Sequence, residues 1–188
     1  MKRTFCTFLF FLTVACVYSQ QKTEETLDIK DGTRLSYLFD LNKQKRVIDL
    51  IMKMPSDSLI IEWTLRSENG RYVILPEALE SAEGMSFKRG EHQKTIVLNP
   101  DETFCMISQS AFKDLLKNNR FVYNNTTYVQ QKEDDIYVDG SPVRTLHVKA
   151  EIDETEMWII KNPRYPMIGK MIRNPLDINF TLISINTD

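Results

Sequence analysis

A thiol beside an imidazole is the smallest pairing that makes a nucleophile, and this 188-residue chain holds three cysteines and two histidines. Cys6 and Cys16 fall in an apolar leader, so Cys105 with His92 or His147 is the pairing to weigh. Cys105 stands between Phe104 and Met106, where the expected role is a small buried apolar residue in a strand. His147 falls on the polar side of an alternating stretch, and His92 lies in Glu91-His92-Gln93-Lys94. Both imidazoles are therefore expected at the surface, and no residue is assigned a catalytic role.

Metal chemistry finds little support. Two histidines without local partners make a poor site. Glu133-Asp134-Asp135 and Asp153-Glu154 are acidic but lack the spacing of a calcium loop, and both read as solvated turns. Glu77, Glu80 and Glu83 read as the wet side of a short helix. No Gly-rich phosphate loop, G-x-S-x-G or H-E-x-x-H motif occurs, so no cofactor is implied. What remains is apolar. Trp63, Phe104, Trp158 and Phe180 sit on inward-facing positions and are the candidates for the wall of an apolar ligand cavity. A packed core would use the same residues.

The elements that position them follow from hydrophobic period. Leu35, Tyr37, Phe39 and Leu41 alternate with polar neighbours, as do Ile48, Leu50 and Met52, and the pair reads as a hairpin. Leu59, Ile61, Trp63 and Leu65 form the cleanest strand, with Ser67-Glu68-Asn69-Gly70 expected as its turn. A short helix is expected over 76–84, opened by Pro76 and stopped by Gly84. A second is expected from Ser108 or Ser110 to Asn118. From residue 120 the chain becomes a run of hairpins, with Asn124-Asn125 and Asp139-Gly140 as turns. Within 143–185, Trp158, Ile159 and Ile160 are apolar on both sides, which predicts cover on both faces. The phase change at Leu182-Ile183 predicts a bulge or burial on both faces. About ten strands and two short helices point to a mainly β fold, an antiparallel curved sheet closing as a barrel or half-barrel.

Residues 1–19 show a basic start at Lys2-Arg3, a short apolar run and Val17-Tyr18-Ser19 before Gln20, the layout of a secretory signal peptide. Residues 20–188 then form one β-rich domain, exported to the periplasm or the cell exterior. An alternative is lipidation at Cys16, since Thr13-Val14-Ala15-Cys16 partly matches a lipobox. With the leader gone, Cys105 is the remaining cysteine and an intramolecular disulfide is excluded. The formal net charge of −2 gives no electrostatic reason to seek nucleic acid or an anionic membrane.

The leader ending in Tyr18-Ser19-Gln20, with Glu156-Met157-Trp158-Ile159-Ile160-Lys161 and Asn162-Pro163-Arg164-Tyr165-Pro166, resembles uncharacterised secreted proteins of flavobacteria-like bacteria. The curved meander over 143–185 resembles, in fold style, the half-barrel of LolA/LolB-type lipoprotein carriers. That resemblance transfers no residues, but it implies a hydrophobic cargo. The expected function is a non-enzymatic exported binding or envelope-associated protein, monomeric, holding a lipid or other hydrophobic molecule or meeting envelope proteins. The alternative is a secreted hydrolase with a dispersed site.

Overall fold

Alternation of apolar and polar residues builds the first half of the sheet. A computed structural model of the protein describes residues 27–41, 43–55 and 58–187. Strand β1 (Arg34–Leu41) buries Leu35, Tyr37 and Phe39 on one face. Strand β2 (Gln44–Lys53) buries Leu50 and Met52, β3 (Leu59–Leu65) buries Leu59, Ile61 and Trp63, and β4 (Glu68–Ile74) buries Tyr72 and Ile74. The four pair in sequence as an antiparallel meander. Their polar residues take the other face, the arrangement of a sheet with one dry side.

The chain then leaves the sheet. Helix α1 (Pro76–Ser81) starts on its proline and ends before Gly84. Gly84 instead opens β5 (Gly84–Met85), which pairs parallel with β7 (Glu102–Thr103). Between them β6 (Thr95–Val97) returns to the outer edge of β4, running parallel to it. Helix α2 (Gln109–Asn118) is capped by Ser108, whose hydroxyl accepts from the Ala111 amide, and is closed by Asn119 at φ 55°. Asparagine tolerates that left-handed conformation better than most residues. Met85, Leu98, Met106, Ile107, Phe112 and Leu115 from this excursion are buried in one cluster with the apolar face of β1–β4.

The second half is hairpins: β8 (Arg120–Tyr123), β9 (Thr126–Val138), β10 (Ser141–Ala150), β11 (Glu156–Ile160), β12 (Ile168–Ile172) and β13 (Ile178–Asn186). Asn124 and Asn125 have φ of 51° and 57°, and Asp139 and Gly140 have 49° and 76°. Two successive positive φ angles are what a type I′ hairpin turn demands. Ile183 is the extra residue of a bulge, because Ser36 faces Ser184 while Tyr37 faces Leu182. The tip of the β9–β10 hairpin is tied to β13: the Asp139 amide donates to the Ile183 carbonyl at 3.1 Å, and its carboxylate accepts from the Ile185 amide at 2.9 Å. Trp158, Ile159 and Ile160 are all buried.

Among the described residues, all strands but β5 and β7 form one eleven-stranded sheet in the order β6-β4-β3-β2-β1-β13-β12-β11-β10-β9-β8. Its ends, β6 and β8, do not pair with each other, and β4–β6 is parallel. The expectation of an antiparallel sheet closed into a barrel or half-barrel of the LolA type is therefore corrected: the sheet is open and mixed. Strand period fixes which residues face inward, but not where the last strand docks. Here the α1 excursion brings β6 to the free side of β4.

Local readings are corrected too. Asn69-Gly70 is not the β3–β4 turn; Arg66 and Ser67 turn the chain, with Arg66 at φ 57°, and Gly70 lies inside β4 opposite Trp63. Glu133-Asp134-Asp135 lies within β9, facing Leu146, Thr145 and Arg144. Cys105 is not in a strand but in a bend at φ 53°.

Candidate functional site

Where the apolar face of β1–β4 and β13 meets the excursion, a cavity of about 490 Å³ remains. Its depth is aromatic. Phe39 and Phe180 are cross-strand partners with ring centroids 5.1 Å apart, and Tyr37 meets Phe180 edge-on at 5.7 Å. Phe104 stacks on Tyr72 at 4.3 Å. Of the four residues expected to wall a cavity, Trp63, Phe104 and Phe180 line this one.

Trp63 is held by two glycines. A Cβ at Gly70 would lie 2.7 Å from Trp63 Cζ2 and 2.7 Å from the Glu91 carbonyl oxygen. A Cβ at Gly90 would lie 2.5 Å from Trp63 Cε2. The indole thus packs flat between β4 and the 86–94 loop. Its N–H is buried and has no acceptor.

Residues 85–90 form the outer wall and are tied down at three points. Tyr72 donates to the Lys88 carbonyl at 2.8 Å. The Lys88 ammonium meets Glu102 at 2.7 Å. Asn124 bridges Met85, accepting from its amide at 3.1 Å and donating to its carbonyl at 3.3 Å. The open end carries Gln44, Arg46, Glu68, Lys88 and Arg89. Arg46 donates to the Gln44 amide oxygen at 2.9 Å. Among the described residues, neither Arg46 nor Arg89 has a carboxylate within ion-pair distance.

No activated nucleophile stands in this cavity. Burial pushes the Cys105 thiol well above its ordinary range, and burial, with Cys105 second, does the same to the Tyr72 hydroxyl. A thiol reacts as its thiolate, which burial suppresses. His92 does not pair with the thiol; its Nδ1 accepts from the Asn69 amide.

Trp158 and His147 lie elsewhere, and His147 is a correction. It is not at the surface but 9% exposed, stacked on Trp158 at 4.2 Å and 9°. Its Nε2 lies 2.7 Å from one Glu156 carboxylate oxygen, and Arg173 holds the other at 2.9 Å. His147, Trp158 and Lys170 are register partners across β10, β11 and β12, and the Lys170 ammonium sits 4.4 Å over the indole. This row occupies the face opposite Met157, Met171 and Phe180, so Trp158 does not line the cavity. A polar position on a strand is covered when the next strands supply an aromatic plate and a carboxylate; the pairing that brings them is not visible in local alternation.

Among the described residues no group of His, Cys, Asp and Glu is arranged to hold a metal ion, and no helix is long and apolar enough to cross a membrane. The leader and Cys16 lie outside the described residues. No family model, no curated protein and no solved structure matches the chain. The resemblances to secreted flavobacteria-like proteins and to LolA/LolB-type carriers thus gain no relative, and the open mixed sheet contradicts the half-barrel that the second implied.

Proposed function

We propose that the protein is a non-enzymatic binding protein, exported by its N-terminal segment, that holds a hydrophobic small molecule between its sheet and residues 85–90. The observation that carries this reading is the cavity of about 490 Å³ backed by Phe39, Trp63, Phe104 and Phe180. Binding pockets for small molecules run from about 300 to 1,000 Å³ and are walled by apolar and aromatic side chains with a few polar groups. The suppressed reactivity of Cys105 favours holding over chemistry. The test is titration with the neutral apolar dye N-phenyl-1-naphthylamine. Saturable binding at one site is expected, and Ile178→Trp, which fills the cavity from β13, weakens it at least tenfold while circular dichroism stays unchanged. Dye binding that ignores Ile178→Trp, or no saturable binding, refutes the reading.

A further inference from the structure

The cavity has a polarity along its length. Phe39, Phe180 and Trp63 are buried at one end, whereas Gln44, Glu68, Lys88 and Arg89 are exposed at the other, with Arg46 half-buried between. Three of the charges at that mouth are cations and one is Glu68, in a chain whose formal net charge is −2. Lys88 is neutralised by Glu102. Arg46 and Arg89 are not matched to any carboxylate among the described residues, and Arg46 spends one donor on Gln44. A guanidinium offers five N–H donors in a fork that fits a planar anion.

The cavity shares Met85, Phe87 and Leu176 with a second chamber of about 280 Å³ that reaches Tyr128, Met157 and Met171. Methionine side chains are the most adaptable of apolar walls, and Phe87 is half-buried. Two adjoining chambers with shared walls suit an occupant that is long and narrow.

Resting on the apolar-cavity reading, we propose that the occupant is a single-chain amphiphile with an anionic head, a long-chain carboxylate being its simplest form. The head seats between Arg46 and Arg89, and the chain runs inward past Phe180 towards Met85 and Phe87.

The test compares three ligands of one chain length, dodecanoate, dodecanol and dodecylammonium, by calorimetric titration of the full chain and of the double variant Arg46→Gln/Arg89→Gln. The expected result is dodecanoate binding at least tenfold tighter than dodecanol, with dodecylammonium weakest. In the double variant this preference collapses to less than twofold. Equal binding of acid and alcohol by the native protein overturns the head-group assignment and leaves the cavity reading standing. A preference that survives in the double variant overturns the role of the two arginines. Failure of all three ligands to bind, together with failure of the neutral dye, overturns both readings.

Discussion

Gly70→Ala probes the wedge that holds Trp63 in the cavity wall. Strand β4 is fixed on both sides, by β3 and by β6, so residue 70 has nowhere to retreat. Its new methyl group would meet the indole and the Glu91 carbonyl oxygen, each at 2.7 Å. Forcing one carbon into a filled site costs about 1–3 kcal/mol. Glycine replacement returns about 0.4–1 kcal/mol through the unfolded chain. The net loss is about 1–2 kcal/mol, or roughly 2–8 °C in melting temperature for a domain of this size. Thermal and urea unfolding followed by circular dichroism measure it. Trp63→Leu, which removes the obstructing ring, costs about 3 kcal/mol or more by itself. In the double variant part of the Gly70→Ala penalty disappears, giving a coupling of about 1 kcal/mol. Additivity within about 0.5 kcal/mol would sink the wedge argument, as would a Gly70→Ala variant as stable as the native protein.

Three further outcomes follow from contacts already described. Cys105 is 2% exposed and its thiol is held protonated by burial; iodoacetamide should label it only as fast as the protein unfolds, and peptide-resolved labelling in native buffer within minutes would contradict that. Asn124→Gly keeps the left-handed turn at φ 51° but loses both bonds to Met85, so urea unfolding should show a loss of about 1–2 kcal/mol. Asn124→Ala should lose about 1 kcal/mol more, because alanine disfavours that conformation, and equal losses would reject the distinction. The Trp158 indole N–H, 3.5 Å from Asp134, is the leading cause holding that carboxyl below its usual 3.8. A lowered carboxyl stabilises the fold above its unfolded-state value, and this is lost as pH falls through the folded one. Trp158→Phe should therefore move the Asp134 titration up towards 3.8 by carboxyl NMR, and an unmoved titration would assign the shift to Lys132 instead.

Much of the scaffold is legible locally. Alternation marks Leu35 to Phe39 and Leu59 to Trp63 as inward, Asp139-Gly140 and Asn124-Asn125 turn where their types demand, and Ile183 breaks phase at a real bulge. What escaped depends on partners that neighbouring strands supply. Asn69-Gly70 has turn chemistry, but its glycine serves the Trp63 ring across the strand. His147 has a polar pattern, but Trp158 and Glu156 cover it. Trp158 and Phe180 read alike in sequence, and only strand pairing puts them on opposite faces. Closure of the sheet depends on where β6 docks, and no residue type in Thr95–Val97 specifies that. The charge at the cavity mouth was equally hidden: Arg46 and Arg89 come from a strand and a loop that meet only in three dimensions.

The order of the sheet also governs how the chain can fold. Strand β1 joins β13 at the middle of the sheet, with Arg34 facing Asn186, whereas nearly every other strand pairs with a neighbour in sequence. Two meanders can thus assemble locally, but the seam that unites them closes a loop spanning most of the chain, and such contacts form slowly. Until then Leu35, Tyr37, Phe180 and Leu182 present two unpaired, apolar strand edges, the template for association with another copy. Refolding should slow and aggregate with rising protein concentration, and pulse-labelled hydrogen exchange should find the amides of Leu38 and Thr181, partners across the seam, protected after those of Ile61 and Val148. Simultaneous protection would show that the seam is no late step.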